Sequence, residues 1–157
     1  MTDGLDIRAA DPCGRDAARL ISRLSAELAA LYPEYPDSGA GNFRPADAAG
    51  SGSTFLIAWL GGRPVGCAAV RPMEPGVAEF KRMYVEPDVR NRGIARRLLA
   101  ALDTRAREMG YTAVRLETGL RQPAAMRVIE SSGFVRIPPY GIYDGNELSA
   151  CYQKRLG

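Results

Sequence analysis

The sequence predicts one α/β domain built on a mixed, mostly antiparallel central sheet of about six to seven strands flanked by helices. Three observations predict it. Apolar runs at 54–60, 65–71 and 77–85 follow one another across tight turns rich in glycine and proline, the pattern of an antiparallel meander. The third run leads through a short turn into a helical pattern at 94–110 and then a further apolar run at 113–118. A strand, helix, strand series of this kind closes as a right-handed crossover and sets its two strands parallel. Finally, 157 residues with 46% apolar and 25% charged side chains suit a single domain over 1–157, with a core at 54–156 and a helix plus a long loop at 11–53.

Taken in order, residues 6–10 read as a short strand, and Asp11 and Pro12 offer a capping side chain and a first-turn proline for a helix at 16–31. Leu20, Leu24, Leu28 and Leu31 recur there on one stripe. Residues 32–53 lose the pattern and read as loop with one helical turn at 45–48; Tyr32, Tyr35 and Phe43 either wall a substrate pocket or anchor the loop to the core. Gly61-Gly62-Arg63-Pro64 joins two strands as a hairpin, and Met73 to Gly76 turns into the third. In the helix from Ile94, the residues Leu98, Leu99, Leu102 and Ala106 continue one apolar stripe up to Gly110. A short helix at 123–131 begins on a proline, Gly133 closes it, and strands at 134–137 and 149–155 flank a loop at 138–146. A final strand at a sheet edge offers a route to a homodimer.

Composition narrows the chemistry. The net charge of +3 is too small to imply nucleic acid or a membrane as partner. Cys13, Cys67 and Cys151 are odd in number and lack CxxC spacing, which argues against a disulfide framework or a zinc site and favours a reducing compartment. The absence of histidine removes Ser-His-Asp and Cys-His catalysis and the commonest transition-metal ligand, so no metal is expected. The first residues carry no basic flank or apolar run, and the expected location is cytoplasmic.

Chemistry concentrates at 79–110. Gly93 lacks a Cβ, so backbone on either side can approach a ligand, and the first-turn N–H groups of the helix behind it have no carbonyl partners. A phosphate satisfies such groups. Arg90 and Arg92, with Arg96 or Arg97 a turn later, add charge-assisted donors suited to phosphate oxygens. Neither G-x-G-x-x-G nor G-x-x-x-x-G-K-[ST] is present.

Arg90-Asn91-Arg92-Gly93-Ile94-Ala95, following a strand that ends Met83-Tyr84-Val85, resembles the Q/R-x-x-G-x-G/A signature of the GNAT family, the acyl-CoA-dependent N-acetyltransferases. Glu117-Thr118-Gly119, Gln122-Pro123-Ala124-Ala125-Met126 and Ser132-Gly133-Phe134 are similar to that family's second block, and the order of strands and helices matches from Thr54 to Leu156. The resemblance implies a splayed pair of parallel strands, opening beyond Val85 and Thr118 as a slot for acetyl-CoA. It places the pantetheine arm on the backbone of Met83, Tyr84 and Val85, and the pyrophosphate on Arg90, Asn91, Arg92, Gly93, Ile94, Ala95 and Arg96. Gln122 stands where many members have a cofactor-contacting asparagine.

The implied reaction moves an acetyl group directly from thioester to an amine in a ternary complex. The amine must lose a proton, since its pKa lies near 10. Glu79, eleven residues before Arg90 as in histone-acetylating members, is the candidate base; its bland alternative is an ion pair with an arginine such as Arg115. The family's usual acid for the leaving thiolate is a tyrosine four residues before the Gly-Phe glycine, where this chain has Ile129. Tyr140 is the candidate in its place, with Tyr143 the other available phenol. The departure at Ile129 keeps a second class in view, a catalytically silent acyl-CoA-binding sensor or docking domain. A nucleic-acid binder is a weaker third, because the basic residues are scattered. The acceptor itself is not specified; Glu34, Asp37 and Asp47 either attract a cationic amine or, as acidic loop residues usually do, simply face solvent.

Overall fold

In the computed structural model, which describes residues 4–35 and 43–157, the strands form one seven-stranded sheet in the order β1-β2-β3-β4-β5-β7-β6. The elements are β1 (Leu5–Ala9), α1 (Arg15–Leu31), β2 (Thr54–Leu60), β3 (Arg63–Glu74), β4 (Val77–Val85), α2 (Ile94–Glu108), β5 (Ala113–Gly119), α3 (Pro123–Ser131), β6 (Val135–Ile137) and β7 (Ser149–Arg155). Single 3-10 turns occupy Pro45–Ala48, Pro87–Val89 and Gly141–Tyr143. The expected mixed sheet is present: β1 through β4 are antiparallel, and β4 pairs with β5 in parallel across the α2 crossover. Gly61 and Gly62 both take positive φ, 59° and 78°, the requirement of the two-residue hairpin turn whose twist matches its strands. Among the described residues no helix is long and apolar enough to cross a membrane.

Strand alternation sorts the core into two clusters. On one face Val65, Ala68 and Val70 of β3, Ala78 and Phe80 of β4 and Val114 and Leu116 of β5 pack against Leu98, Leu99 and Leu102 of α2 and Ile129 of α3. On the other, Cys67 and Ala69 of β3 and Tyr84 of β4 meet Ala17, Leu20 and Leu24 of α1, with Phe43 and Ala48 from the loop that follows it. The apolar stripes of α1 and α2 are what these faces bury.

Several expectations are corrected. The last strand is not at an edge: β7 lies between β5 and β6, paired along its length with β5, so it offers no free edge for a dimer. Asp11 does not cap α1. Its side chain accepts from Cys13 N at 2.9 Å and its carbonyl from Gly14 N at 3.0 Å, closing a turn ahead of a helix that starts at Arg15 with Gly14 as N-cap. β3 runs past 71 to Glu74.

The local feature that shapes β4 is a bulge. Its ladder with β3 passes from Ala69↔Lys81 to Cys67↔Tyr84, so Ala68 faces two residues, Arg82 and Met83. Arg82 absorbs the extra residue with a left-handed φ of 57°. The parallel ladder with β5 ends just before it, at Glu79↔Arg115. The two strands therefore part at Lys81 and Glu117, several residues before Val85 on β4 and directly before Thr118 on β5, where the resemblance placed the opening.

A single glycine holds β3 against this distorted strand. A Cβ on Gly66 would sit 2.8 Å from the Tyr84 carbonyl oxygen and 3.2 Å from Leu98 Cδ1. The first contact is main chain and cannot rotate away. We expect Gly66→Ala to lower Tm by roughly 3–10 °C through a forced shift of β4, read by thermal denaturation; an unchanged Tm would show that the ladder yields without cost.

Candidate active site

Where β4 and β5 part, a cleft of about 600 Å³ opens through the sheet, within the usual size of small-molecule sites. Its walls are the stretches 81–83 of β4 and 117–119 of β5. On one side it is closed by Leu99 and Leu102 of α2 and by Ile129 of α3; on the other by Tyr32, Tyr143 and Ser149. Ile129, at the position of the family's usual tyrosine, is 2% exposed and contributes only apolar wall. The main-chain edge of β4 beyond Glu79 has β3 on one side and no strand partner on the other. An unpaired backbone edge in a cleft is a ready partner for the amides of an extended ligand.

The glycine turn has the form expected of it. Asn91 and Gly93 take left-handed φ values of 66° and 81°, Gly93 is the N-cap of α2, and no side chain caps that helix. Arg92 is exposed beside it. Arg90 is already engaged: its Nε donates to Val85 O at 2.8 Å and its Nη2 to Glu27 Oε1 at 2.6 Å, bracing the end of β4 to α1. Arg96 donates to Ser131 Oγ on α3. Ile94 is buried in the core and Ala95 half-buried, so each offers the turn its main chain. Gln122 lines the cleft, yet its Oε1 serves the protein, accepting from Gly119 N at 3.1 Å and Tyr32 Oη at 3.3 Å. Tyr32 Oη in turn accepts from Arg121 N at 3.0 Å. Gly119 is required here, since a Cβ on it would fall 1.7 Å from Tyr32 Oη.

Polar chemistry gathers on the other side of the sheet. Glu79 and Lys81 stand opposite Arg71 and Ala69, and Arg115 and Glu117 share their face, because paired residues point the same way. Glu79 is 5% exposed. Arg71 donates to its Oε1 at 3.1 and 2.9 Å and also bridges to Asp47 at 3.0 Å. Tyr140 Oη donates to its Oε2 at 2.7 Å. The two candidates named from sequence are thus in direct contact, and the arginine that pairs with Glu79 is Arg71; Arg115 serves Glu74 and Gln153. Burial first, then the adjacent Glu79, pushes the Tyr140 phenol up, so it holds its proton at neutral pH. Neither residue lines the cleft, which ends one rung above them.

The residues that line it on this side include Lys81, Arg82, Glu117, Tyr143 and Ser149. Burial pushes Lys81 down to about 8 against the pull of Glu79, and it donates to Tyr143 Oη. Burial raises the Glu117 carboxyl, partly offset by a 2.8 Å hydrogen bond from Ser149 and by Lys81. The sequence signal for Lys81 was present in strand alternation, two residues from Glu79; Glu117 was visible only as part of a fold-marking triplet. Of the aromatics in the long loop, Tyr32 and Tyr35 line the cleft while Phe43 anchors to the core. Asp37 lies outside the described residues.

Comparison with known proteins agrees with this geometry. The pattern described as "Acetyltransferase (GNAT) family" matches residues 21–134. A protein of Azospirillum brasilense named IAA acetyltransferase is 39% identical over 103 residues, 65% of this chain and 67% of that protein. A Klebsiella pneumoniae chain named as an acyl-CoA N-acyltransferase superposes with a TM-score of 0.80 at 28% identity over 98% of each chain. A Salmonella typhimurium chain solved with its cofactor acetyl-CoA gives a TM-score of 0.70 at 22% identity, over 98% of this chain and 94% of that one. The chain belongs to the acetyltransferase (GNAT) family.

Lys81 makes stability respond to pH in a definite direction. Its folded pKa of about 8 lies below the unfolded value of about 10.4. Between these the unfolded chain holds more protons, so the contribution of Lys81 to stability rises with pH across this window. We expect the stability difference, native minus Lys81→Met, followed by urea unfolding from pH 7.5 to 10, to increase with pH. A flat difference would place Lys81 in the ordinary lysine range.

Proposed function

We propose that this protein moves an acetyl group from acetyl-CoA to an amine by direct attack in a ternary complex. The observation that carries the reading is the parting of two parallel strands, with an unpaired backbone edge on β4, directly before a glycine turn at the start of α2. The edge at Met83 to Val85 suits the amides of a pantetheine arm, and the turn at Gly93, with Arg92 and the helix N–H groups, suits a pyrophosphate. A family relative of known structure holds acetyl-CoA, and acetyl-CoA supplies the activated acetyl thioester. The acceptor enters from the opposite side, beneath Tyr140 and Tyr143.

The amine's proton goes to Glu117, the cleft-wall carboxylate on β5, whose raised pKa makes it a better base than an ordinary glutamate. Glu79 is the alternative base from the same face. Here it holds Tyr140 and Arg71 in place through its two oxygens, a positioning role. Tyr143, a cleft phenol on the side of Lys81 and Glu117, is the donor for the departing sulfur, with Lys81 orienting it; Tyr140, outside the cleft lining, reaches that sulfur only if the loop shifts.

Free-thiol release from acetyl-CoA in the presence of an acceptor amine tests this. Glu117→Gln should lower kcat by roughly 10²–10⁴-fold and abolish the acid limb of the pH profile, with Glu79→Gln the smaller loss. The reverse ranking would return the base role to Glu79, and thiol release no faster than hydrolysis with every amine would favour a silent acyl-CoA-binding domain.

A further inference from the structure

The acceptor side of the cleft contains a buried cation with no counter-ion among the described residues. Arg82 is 7% exposed, lines the cleft, and its Nε has no hydrogen-bond partner among the described residues. Its guanidinium lies 5.3 Å over the Phe43 ring, which fixes it on the acceptor side of the sheet. A ring face offers a cation partial compensation, far less than a carboxylate does. Burial dominates the lowering of its pKa, partly offset by Tyr143 and Cys67 and reinforced by the neighbouring cation Arg71.

The carboxylates nearby are committed elsewhere. Glu79 is held by Arg71 and Tyr140, Asp47 by Arg71, and Glu117 stands on the opposite strand with Ser149. The backbone also pays a conformational cost to put the arginine there, since Arg82 is the left-handed residue of the β4 bulge. A buried arginine with no carboxylate partner among the described residues, placed at a substrate cleft by a strained bulge, is organised for an anion that arrives with a ligand.

We propose that the acceptor is an amine that also carries a carboxylate, as amino acids and the termini of short peptides do, and that Arg82 pairs with that carboxylate. This rests on the acetyl-transfer reading above and gives it a substrate class. The two ends of such a molecule meet opposite walls: the carboxylate meets Arg82 on β4, and the amine meets Glu117 on β5. A polyamine or other purely cationic acceptor is opposed by the positive charge of Lys81, Arg82 and Arg71 clustered on β3 and β4.

Thiol release with matched acceptors tests the proposal. A panel of amino acids, each beside its amide and its decarboxylated amine, should show kcat/KM favouring the acids by at least about tenfold, the scale of a charge-assisted pair. In Arg82→Gln that preference should fall toward one, while Arg82→Lys retains part of it. Calorimetric affinity for acetyl-CoA, expected to change by less than about threefold in either variant, shows that the cleft is still formed. Amides or polyamines used as well as acids by the native protein would overturn the proposal and leave acetyl transfer standing. An Arg82→Gln variant that loses acetyl-CoA affinity with its acid preference intact would assign Arg82 to the donor and also overturn it. Thiol release with no amine at all would overturn both readings.

Discussion

The structure depends on where one hydrogen-bond ladder stops. β4 and β5 run parallel and pair only as far as Glu79 and Arg115. β5 continues straight because β7 is paired with it through Gly119, while β4 is twisted away by the bulge at Arg82 and Met83 and held there by β3. A sheet with its neighbours bound on the outer sides and nothing between the two central strands must open, and the opening passes from the α2 face to the face beneath Tyr140 and Tyr143. The unpaired β4 edge, the start of α2 and the polar cluster all take their positions from this one divergence.

Filling the margin of that opening with ionisable groups is unfavourable for folding taken alone. Lys81, Arg82 and Glu117 stand where burial disfavours charge. Their arrangement separates into held and unheld groups. Glu79 is fully engaged by Arg71 and Tyr140, and the base of α1 is similarly braced, with Arg23 on the buried Glu86 and Arg90 on Glu27. Arg82, by contrast, has an Nε without a hydrogen-bond partner among the described residues, and Lys81, held by Tyr143, is perturbed chiefly by burial. Strongly perturbed groups collected at a cleft are the pattern expected where binding and proton transfer occur.

Most of the fold was legible because it is local. Gly61-Gly62 dictates a hairpin, the stripe from Ile94 to Ala106 dictates a buried helix face, and strand, helix, strand dictates a parallel pair. The position of β7 was not, since alternation is equally satisfied whether the sixth or the seventh strand abuts β5, and only long-range packing decides. The same division holds at the site. The glycine turn is six consecutive residues and announces itself. The acceptor face draws on Asp47, Arg71, Glu79, Glu117 and Tyr140, brought together from across the sequence; of these, the family spacing singled out Glu79, and Tyr140 was named only as an available phenol in place of the tyrosine missing at Ile129. The bulge was invisible because nothing about an arginine favours a left-handed φ; without it, the early parting of the strands and the burial of Arg82 could not be foreseen.

The central claim, that the gap between β4 and β5 receives an extended acyl-CoA arm on the free edge of β4, is tested most directly by amide hydrogen exchange with and without acetyl-CoA. The geometry predicts slowed exchange at Met83 to Val85 and in the Gly93 to Arg96 turn, with the β1–β2 ladder unchanged. Exchange at 83–85 that is indifferent to saturating acetyl-CoA would contradict it.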